Sequence, residues 1–291
     1  MQISFWKMSG CGNDFIVIDA RGPDGGGEQT ADIRRGKRIA GIVIEDISAF
    51  IAKVCRRGLS VGADGVILVE HSKKADYAWH YYNADGGEAS MCGNGLRCVA
   101  RFAYLNGIAP MKHTIETGRG VMRAEIRPNG RVMVQMPDPI DCRLRLNIEI
   151  DGTMREGHFV NTGVPHVIYF VDDVEKVDVV RQGRATRHHP LFAKEGTNAN
   201  FVQISNPHFI KIRTYERGVE DETLACGTGS VAAAVIASAL GKTNPALSVE
   251  TRSGITLGVH FKKDALTFSE VHLEGDARII YKGELSEEAL L

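Results

Sequence analysis

One short sequence pattern occurs twice in this chain. The segments 88–95 and 222–229 both read E-x-x-x-C-G-[N/T]-G, and each leads into a stretch that is typical of a helix. The cysteines of the two copies, Cys92 and Cys226, are 134 positions apart (226 − 92 = 134). This repeat constrains the fold strongly, because it predicts two copies of one structural unit, each presenting a cysteine at the start of a helix.

A second pair of segments keeps the same spacing. Gly62 and Gly196 begin related turns, again 134 positions apart (196 − 62 = 134). A chain of 291 residues suits two domains of ordinary size. The two prolines of the segment 137–139 interrupt helix and sheet alike, which marks a boundary. Because the last strand is expected to return to the first domain, the predicted domains are 1–137 plus 278–291 and 138–277.

Each half is rich in predicted strands and contains one very apolar helix. Residues 230–240 are almost all Ala, Val, Ile or Leu, which makes this helix too apolar to face water. We therefore predict an α+β fold with two homologous, pseudo-symmetric domains. Each would be a curled, mostly antiparallel, barrel-like β-sheet around a central apolar helix, with the active site in the interdomain cleft. Smaller predicted elements are a helix at 44–57 and a Gly-rich surface loop at 21–30.

Composition argues against several classes of partner. The 35 basic and 36 acidic residues nearly balance, so the chain offers no field for nucleic acid or an anionic membrane. The longest apolar run, 231–240, is too short to span a bilayer, and no signal peptide is recognisable. The six cysteines lack the C-x-x-C spacing of zinc sites, so no metal is predicted. We expect reduced thiols and a cytoplasmic location.

The repeated motif predicts a specific chemistry. The Gly-x-Gly after each cysteine leaves backbone N–H groups open at the positive end of a helix, which lowers a thiol pKa and can bind a carboxylate. Inverting a stereocentre requires proton removal on one face of a carbon and delivery on the other, which two near-neutral thiols can perform. Without a cofactor as electron sink, preorganised donors must stabilise the developing charge. The sequence thus indicates a cofactor-independent racemase or epimerase acting on a small molecule.

These motifs resemble those of the diaminopimelate epimerase family over nearly the whole chain. The segments that carry the resemblance are Met8–Phe15, Val61–Gly65, Asn83–Gly86, Met91–Cys98, Gly163–His166, Gly196–Asn198, Tyr215–Gly218 and Ala225–Gly229. The resemblance implies an isomerase, without cofactor, that interconverts LL-diaminopimelate and meso-diaminopimelate in lysine and peptidoglycan precursor synthesis. It also implies a homodimer.

The resemblance further implies the roles of individual residues. Cys92 and Cys226 would form the acid/base pair, while His166 and Glu216 would tune the pKa values of the thiols. Arg217 would bind the distal carboxylate of the substrate as a bidentate fork. The implied substrate-binding residues are Asn13, Asn83, Gly93, Asn94, Asn198, Glu216, Arg217, Gly227 and Thr228.

The chain also departs from the family pattern. It has Gly65 where some members have Gln, and Val164 where some have Asn, so two substrate contacts are absent or replaced. The stretch between Arg217 and Cys226 is one residue longer than in those members.

Two other functions stay open at this stage. One is a thiol redox protein that uses Cys92 and Cys226 as a disulfide couple, which solvent deuterium exchange would distinguish from an epimerase. The other is a proline or hydroxyproline racemase. Such racemases are expected to show a C-G-H first motif, where this chain has Asn94, and a Ser-Pro before the second cysteine, where it has residues 224–225.

Overall fold

The computed structural model describes residues 3–22, 37–39, 42–192 and 195–291, and most of the loop predicted at 21–30 lies outside these ranges. The chain divides into two compact units. The first unit comprises Met1–Val134 with Asp276–Leu291, and the second unit comprises Gln135–Gly275. The boundaries predicted from the sequence are 137/138 and 277/278.

The first unit is built from strands that form one main sheet and a separate hairpin. Its strands are β1 Ile3–Gly10, β2 Asn13–Asp19, β3 Lys37–Ile39, β4 Ile42–Ile44, β5 Gly65–Glu70, β6 Tyr77–Asn83, β7 Glu88–Ala89, β8 Lys112–Thr117, β9 Gly120–Ile126, β10 Val132–Gln135 and β20 Arg278–Leu285. Its helices are α1 Ile47–Val54, α2 Gly93–Leu105 and the 3-10 helix Glu287–Leu290. The main sheet runs β20-β1-β2-β5-β6-β8-β9-β10, with β7 on the end of β6, and β3 pairs only with β4 among the described strands.

The second unit repeats this plan. Its strands are β11 Ile140–Ile150, β12 Thr153–Asn161, β13 Pro165–Phe170, β14 Asn198–Asn206, β15 Phe209–Glu216, β16 Asp221–Thr223, β17 Leu247–Glu250, β18 Thr256–Asp264 and β19 Thr267–Gly275. Its helices are α3 Val179–Arg187, α4 Gly227–Ala239 and the 3-10 helices Val174–Lys176 and Pro190–Phe192. The sheet runs β11-β12-β13-β14-β15-β17-β18-β19, with β16 on the end of β15.

The two sheets have the same succession of parallel and antiparallel pairs. In each, the third and fourth strands are parallel, the fifth and sixth are parallel, and all other neighbours are antiparallel. Among the described residues, the two end strands of each sheet do not pair with each other, so each sheet is curled but open. The predicted α+β class with homologous halves is thereby confirmed.

Helices cover both faces of each sheet because strand side chains alternate between faces. In the first unit, Phe15 and Ile67 lie against α2, whereas their neighbours Ile16 and Val66 pack with α1. In the second unit, α4 is buried from Gly229 to Ser238, as its apolar composition predicts. Helix α3 covers the other face through residues such as Val179.

The two shorter helices, α1 and α3, differ from the sequence-based prediction. The helix predicted at 44–57 spans only Ile47–Val54, because Asp46 caps its start by accepting a hydrogen bond from Ala49 N at 2.9 Å. Helix α3 has no counterpart in the prediction, although Asp178 caps it in the same way. No helix in the described parts of the chain is long and apolar enough to cross a membrane.

Candidate active site

The two repeated cysteines occupy equivalent positions at the starts of two helices. Cys92 is the N-cap of α2, and its Sγ accepts a hydrogen bond from Gly95 N at 3.4 Å. Cys226 is the N-cap of α4, and its Sγ accepts from Gly229 N, also at 3.4 Å. Each thiol therefore faces the open N–H groups and the positive end of a helix dipole, an arrangement that stabilises a thiolate.

The third residue after each cysteine must be small because the helix start approaches the sheet closely. A Cβ at Gly95 would lie 3.2 Å from Ile67 Cδ1 and 3.3 Å from the Trp79 ring. A Cβ at Gly229 would lie 2.6 Å from Asn200 Oδ1. The glycines thus let each capping thiol sit directly over the sheet.

In the first unit the thiol has a phenol as neighbour. The Tyr81 side chain, on β6, is hydrogen-bonded to Cys92. Burial raises the pKa of Tyr81 far above that of an ordinary tyrosine, and the nearby Cys92 charge adds to this. The phenol therefore stays protonated and is able to donate to the cysteine.

A hydrogen-bonded chain links the predicted substrate-binding asparagines of the first unit. Asn94 Nδ2 donates to Asn13 Oδ1 at 2.7 Å, and Asn13 Nδ2 donates to Asp64 Oδ2 at 2.9 Å. The other end of Asn94 accepts from Arg97 Nη2 at 2.6 Å. Arg57 in turn forms an ion pair with Asp64 at 2.8 Å. The two amides are therefore fixed in orientation by a charged group on either side.

Arg97 is a fully buried cation with several partners. Its Nε donates to the backbone oxygen of Asp276 at 3.2 Å, and its Nη2 lies 3.1 Å from Cys11 Sγ. The Cys11 thiol is also 3.2 Å from Asp276 Oδ1. Burial raises the pKa of Cys11 to about 11, with Arg97 opposing that shift, so this thiol serves as a structural link.

In the second unit the thiol has a carboxylate and a hydroxyl as neighbours. The Cys226 side chain is hydrogen-bonded to Glu216, and its Sγ lies 3.5 Å from Thr228 Oγ1. Glu216 Oε2 also accepts from Thr223 Oγ1 at 3.0 Å. Burial raises the pKa of Glu216, while the hydrogen bonds from Thr223 and Cys226 oppose the shift.

His166 lies behind Thr228 and is completely buried. Asn200 Nδ2 donates to Val167 O at 2.9 Å and to His166 Nδ1 at 3.1 Å, which leaves the imidazole proton on Nε2. That Nε2 donates to Thr228 Oγ1 at 3.0 Å. Burial lowers the pKa of His166 to about 3, and Arg217 adds to the shift, so the ring is neutral near pH 7. His166 thus reaches Cys226 through Thr228.

Asn198 and Arg217 are held together at the ends of β14 and β15. The backbone N–H of Arg217 donates to Asn198 Oδ1 at 2.7 Å, and Asn198 Nδ2 lies 3.4 Å from His166 Nε2. The Arg217 guanidinium donates to the Glu195 backbone oxygen at 3.0 Å. Asn198 is buried, whereas Arg217 is half-buried.

The remaining predicted residues fall at the expected places along the chain. Gly93 and Gly227 are the first residues of α2 and α4. Asn83 is the last residue of β6 and is exposed, and its backbone N–H donates to Gly87 O at 2.9 Å. Of the predicted site residues, Asn13, Asn83, Cys92, Gly93 and Asn94 lie in the first unit, and the rest lie in the second unit.

The sequence predicted no part in the site for several residues that the structure places beside the predicted site residues: Tyr81, Arg97, Asp64, Asn200 and Thr223. The one available signal was position in the motifs, because Arg97 follows the first cysteine motif and Asp64 lies in a turn of the repeat.

The other four cysteines are not N-caps of the described helices. None of the six is in a disulfide. Burial raises the pKa of Cys55 to about 11 and also raises those of Cys98 and Cys142. Among the residues that the structure describes, no group of three or more His, Cys, Asp or Glu is arranged to hold a metal ion.

Comparison with known sequences gives one consistent result. A family model described as diaminopimelate epimerase matches residues 5–140 and 158–279. A diaminopimelate epimerase of Aquifex aeolicus is 45% identical over 293 residues, with 99% of each chain covered. One of Hydrogenobaculum sp. is 42% identical and covers 97% of this chain and 98% of its own length.

Comparison with solved structures shows the fold alone, because the identities are low. A phenazine biosynthesis protein of the PhzF family from Bacillus anthracis has a TM-score of 0.68 at 17% identity, covering 98% of this chain and 99% of that chain. A hydroxyproline epimerase from Agrobacterium vitis also has a TM-score of 0.68, at 14% identity, covering 99% and 93%. The architecture is therefore shared with both classes of protein.

Proposed function

The chain belongs to the diaminopimelate epimerase family, and from that premise we propose that it interconverts LL- and meso-diaminopimelate with two cysteines as acid and base. The observation that carries this proposal is the pair of equivalent thiols, Cys92 and Cys226, each capping a helix. The product would serve lysine and peptidoglycan precursor synthesis. The predicted domains, 1–137 plus 278–291 and 138–277, would each contribute one thiol.

Proton transfer is the first task that the site residues would perform. A thiolate removes the α-proton from one face of the carbon, and the other cysteine delivers a proton to the opposite face. The surroundings of Cys226 support this role, because Glu216 is hydrogen-bonded to the thiol and its raised pKa makes its carboxylate a better proton acceptor. His166 is a neutral donor near pH 7 and fixes Thr228 against Cys226.

Stabilisation of the intermediate is the second task. The proton on an amino-acid α-carbon is a very weak acid, and its removal places negative charge on the adjoining carboxylate. The N–H groups of the first helical turns, at Gly93-Asn94 and Gly227-Thr228, are donors of the kind that could bind that carboxylate. No cofactor is required in this scheme.

Substrate recognition is the third task. We propose that Asn13, Asn83 and Asn198 bind the amino and carboxylate groups, and that Arg217 binds the distal carboxylate. The fixed orientation of Asn13 and Asn198 supports this role in binding. The Asn13 amide is held by Asp64, and the Asn198 amide is held by the backbone N–H of Arg217. Only one end of the substrate reacts, and the other end is held for recognition.

The test is incubation of the enzyme with LL-diaminopimelate in D2O, followed by chiral separation and mass spectrometry. We expect deuterium at one α-carbon and formation of the meso isomer. Cys142→Ser is a matched control for substitution of Cys92 or Cys226, because Cys142 lies on β11 and is not part of either repeated motif. If neither deuterium nor meso product appears, the proposal is wrong. L-Proline under the same conditions tests the racemase alternative, and a thiol redox protein would exchange no α-proton.

The family resemblance also supports a homodimer and a cytoplasmic location. Light scattering coupled to gel filtration measures the first. A mass near that of one 31.8 kDa chain would contradict the dimer.

A further inference from the structure

The chain lacks a side chain at position 65, and the Tyr81 ring lies in the space beside it. A Cβ built at Gly65 would lie 2.6 Å from Tyr81 Cε2 and 3.2 Å from the Tyr81 hydroxyl oxygen. Gly65 opens β5, and Tyr81 lies on the neighbouring β6, two positions before the residue that pairs with Gly65. The glycine is therefore what allows the tyrosine to turn its hydroxyl toward the start of α2.

Two aromatic side chains fix the position of that ring. Tyr81 stacks on Trp79 with 5.8 Å between the ring centroids, and Phe15 meets it edge-on at 6.0 Å. The same two rings lie against Gly95, within 3.5 Å of where its Cβ would be. Because Gly95 N donates the hydrogen bond that the capping thiol of Cys92 accepts, one aromatic cluster places both the thiol and the phenol.

The pairing of β6 with β7 also places the Tyr81 side chain near Cys92. Tyr81 pairs with Ala89 on β7, and Ala89 is three residues before Cys92. Tyr81 is buried, with 7% of its surface exposed, and its side chain is hydrogen-bonded to Cys92. The contact is therefore built from the sheet, the helix cap and the ring cluster together.

We propose that Tyr81 is a positioning residue that donates its hydroxyl hydrogen bond to the Cys92 thiolate and holds that thiolate in place for proton transfer. This inference rests on the proposed function, to which it adds a partner for the first cysteine. The phenol stays protonated, so the anion of the pair is the sulfur. Hydrogen bonds to charged groups are stronger than neutral ones, so the donation favours the thiolate over the thiol.

The proposal makes the two cysteines chemically unequal. Cys92 is hydrogen-bonded to the Tyr81 hydroxyl, and a donor of this kind favours the thiolate. Cys226 is hydrogen-bonded to the Glu216 carboxylate, and an acceptor of this kind favours the thiol. The resting enzyme would hold one base and one acid without any substrate present.

The experiment compares Tyr81→Phe with the unmodified enzyme. Phenylalanine keeps the ring and removes only the hydroxyl. Each protein is alkylated with iodoacetamide between pH 5 and 10, and peptide mapping gives the rate at each cysteine. We expect the pH midpoint of Cys92 alkylation to rise by about one unit or more, and that of Cys226 to stay unchanged. The value of kcat/KM near neutral pH should fall ~10-fold and recover at higher pH.

Tyr82→Phe is the matched control. Tyr82 is the next residue on β6 and packs in the core on the opposite face of the sheet, so its substitution should leave the Cys92 midpoint alone. A Cys92 midpoint that does not move in Tyr81→Phe overturns the proposal. An equal shift of the Cys226 midpoint in Tyr81→Phe also overturns it, as does an equal shift of the Cys92 midpoint in Tyr82→Phe. Alkylation needs no substrate, so this result stands apart from whether diaminopimelate is turned over.

Discussion

Acidification should destabilise this protein in part through one side chain, His166. The folded protein keeps this buried imidazole neutral, because burial lowers its pKa from 6.5 to about 3. In the unfolded chain the ring regains its ordinary pKa. Between these two values the unfolded chain therefore binds one more proton than the folded protein, and stability falls as the pH falls. Above pH 6.5 the contribution is constant.

The size of the effect follows from the separation of the two pKa values. Each pH unit inside the window is worth about 1.4 kcal/mol. Going from pH 7.5 to 5 should therefore lower the free energy of unfolding by about 2 kcal/mol through His166 alone. Burial also lowers the pKa values of His113 and His158, which add to the total in the same direction.

The assay is urea unfolding at pH 7.5 and pH 5 for the unmodified protein and for His166→Gln. Glutamine can still donate to Thr228 but takes up no proton, so its pH-dependent loss should be smaller by about 2 kcal/mol. The contributions of His113 and His158 cancel in this difference. His188→Gln, at an exposed histidine of the same unit, should behave like the unmodified protein. Equal losses in His166→Gln and the unmodified protein would refute the reasoning, and an NMR titration of the His166 ring gives its pKa directly.

Substitutions at four positions test the proposed site. Cys92→Ala and Cys226→Ala should each abolish epimerisation, because each removes the proton carrier of one face, and full activity in either would end the two-base mechanism. Arg217→Met should raise KM strongly and lower kcat by misplacing the α-carbon, whereas unchanged steady-state kinetics would mean that another group binds the distal carboxylate. Thr228→Val should reduce stability by about 1–3 kcal/mol, since it leaves the buried Nε2–H of His166 without an acceptor. Thr228→Ser keeps the oxygen and should unfold near the unmodified midpoint, so equal denaturation curves for all three proteins would contradict a stabilising His166–Thr228 hydrogen bond.

Much of the fold could be predicted because the repeat and the strand patterns are local features of the sequence. The cysteine motifs place Cys92 and Cys226 at helix starts, and the apolar run at 230–240 predicts the buried helix. The comparisons confirm the family that the motifs indicate. These features depend on neighbouring residues, which a sequence displays directly.

The missed parts depend on contacts between distant residues. Tyr81 is one of several aromatic residues in an apolar strand, and its role appears only once Gly65 lies beside it. Arg97 looks like an ordinary helix residue, yet it is buried because Asp276, 179 positions away, accepts its hydrogen bond. Helix α3 was missed because its nine residues are mostly polar and include a glycine, Gly183, which gives a weak helical pattern. Which distant residues come into contact is set by the sheet topology and cannot be derived from spacing along the chain.

The pairing of β20 with β1 has a consequence for how the chain matures on the ribosome. Strand β1 is synthesised at the start, but its antiparallel neighbour β20 emerges only near the end. Asp276 and Ala277, which accept hydrogen bonds from Arg97 and Arg101 of α2, are equally late. The second unit, Gln135–Gly275, is translated whole before the last strand of the first unit is made. The earliest translated half thus waits for the last translated strand, and a released chain truncated after Gly275 should expose the first unit, and not the second, to protease.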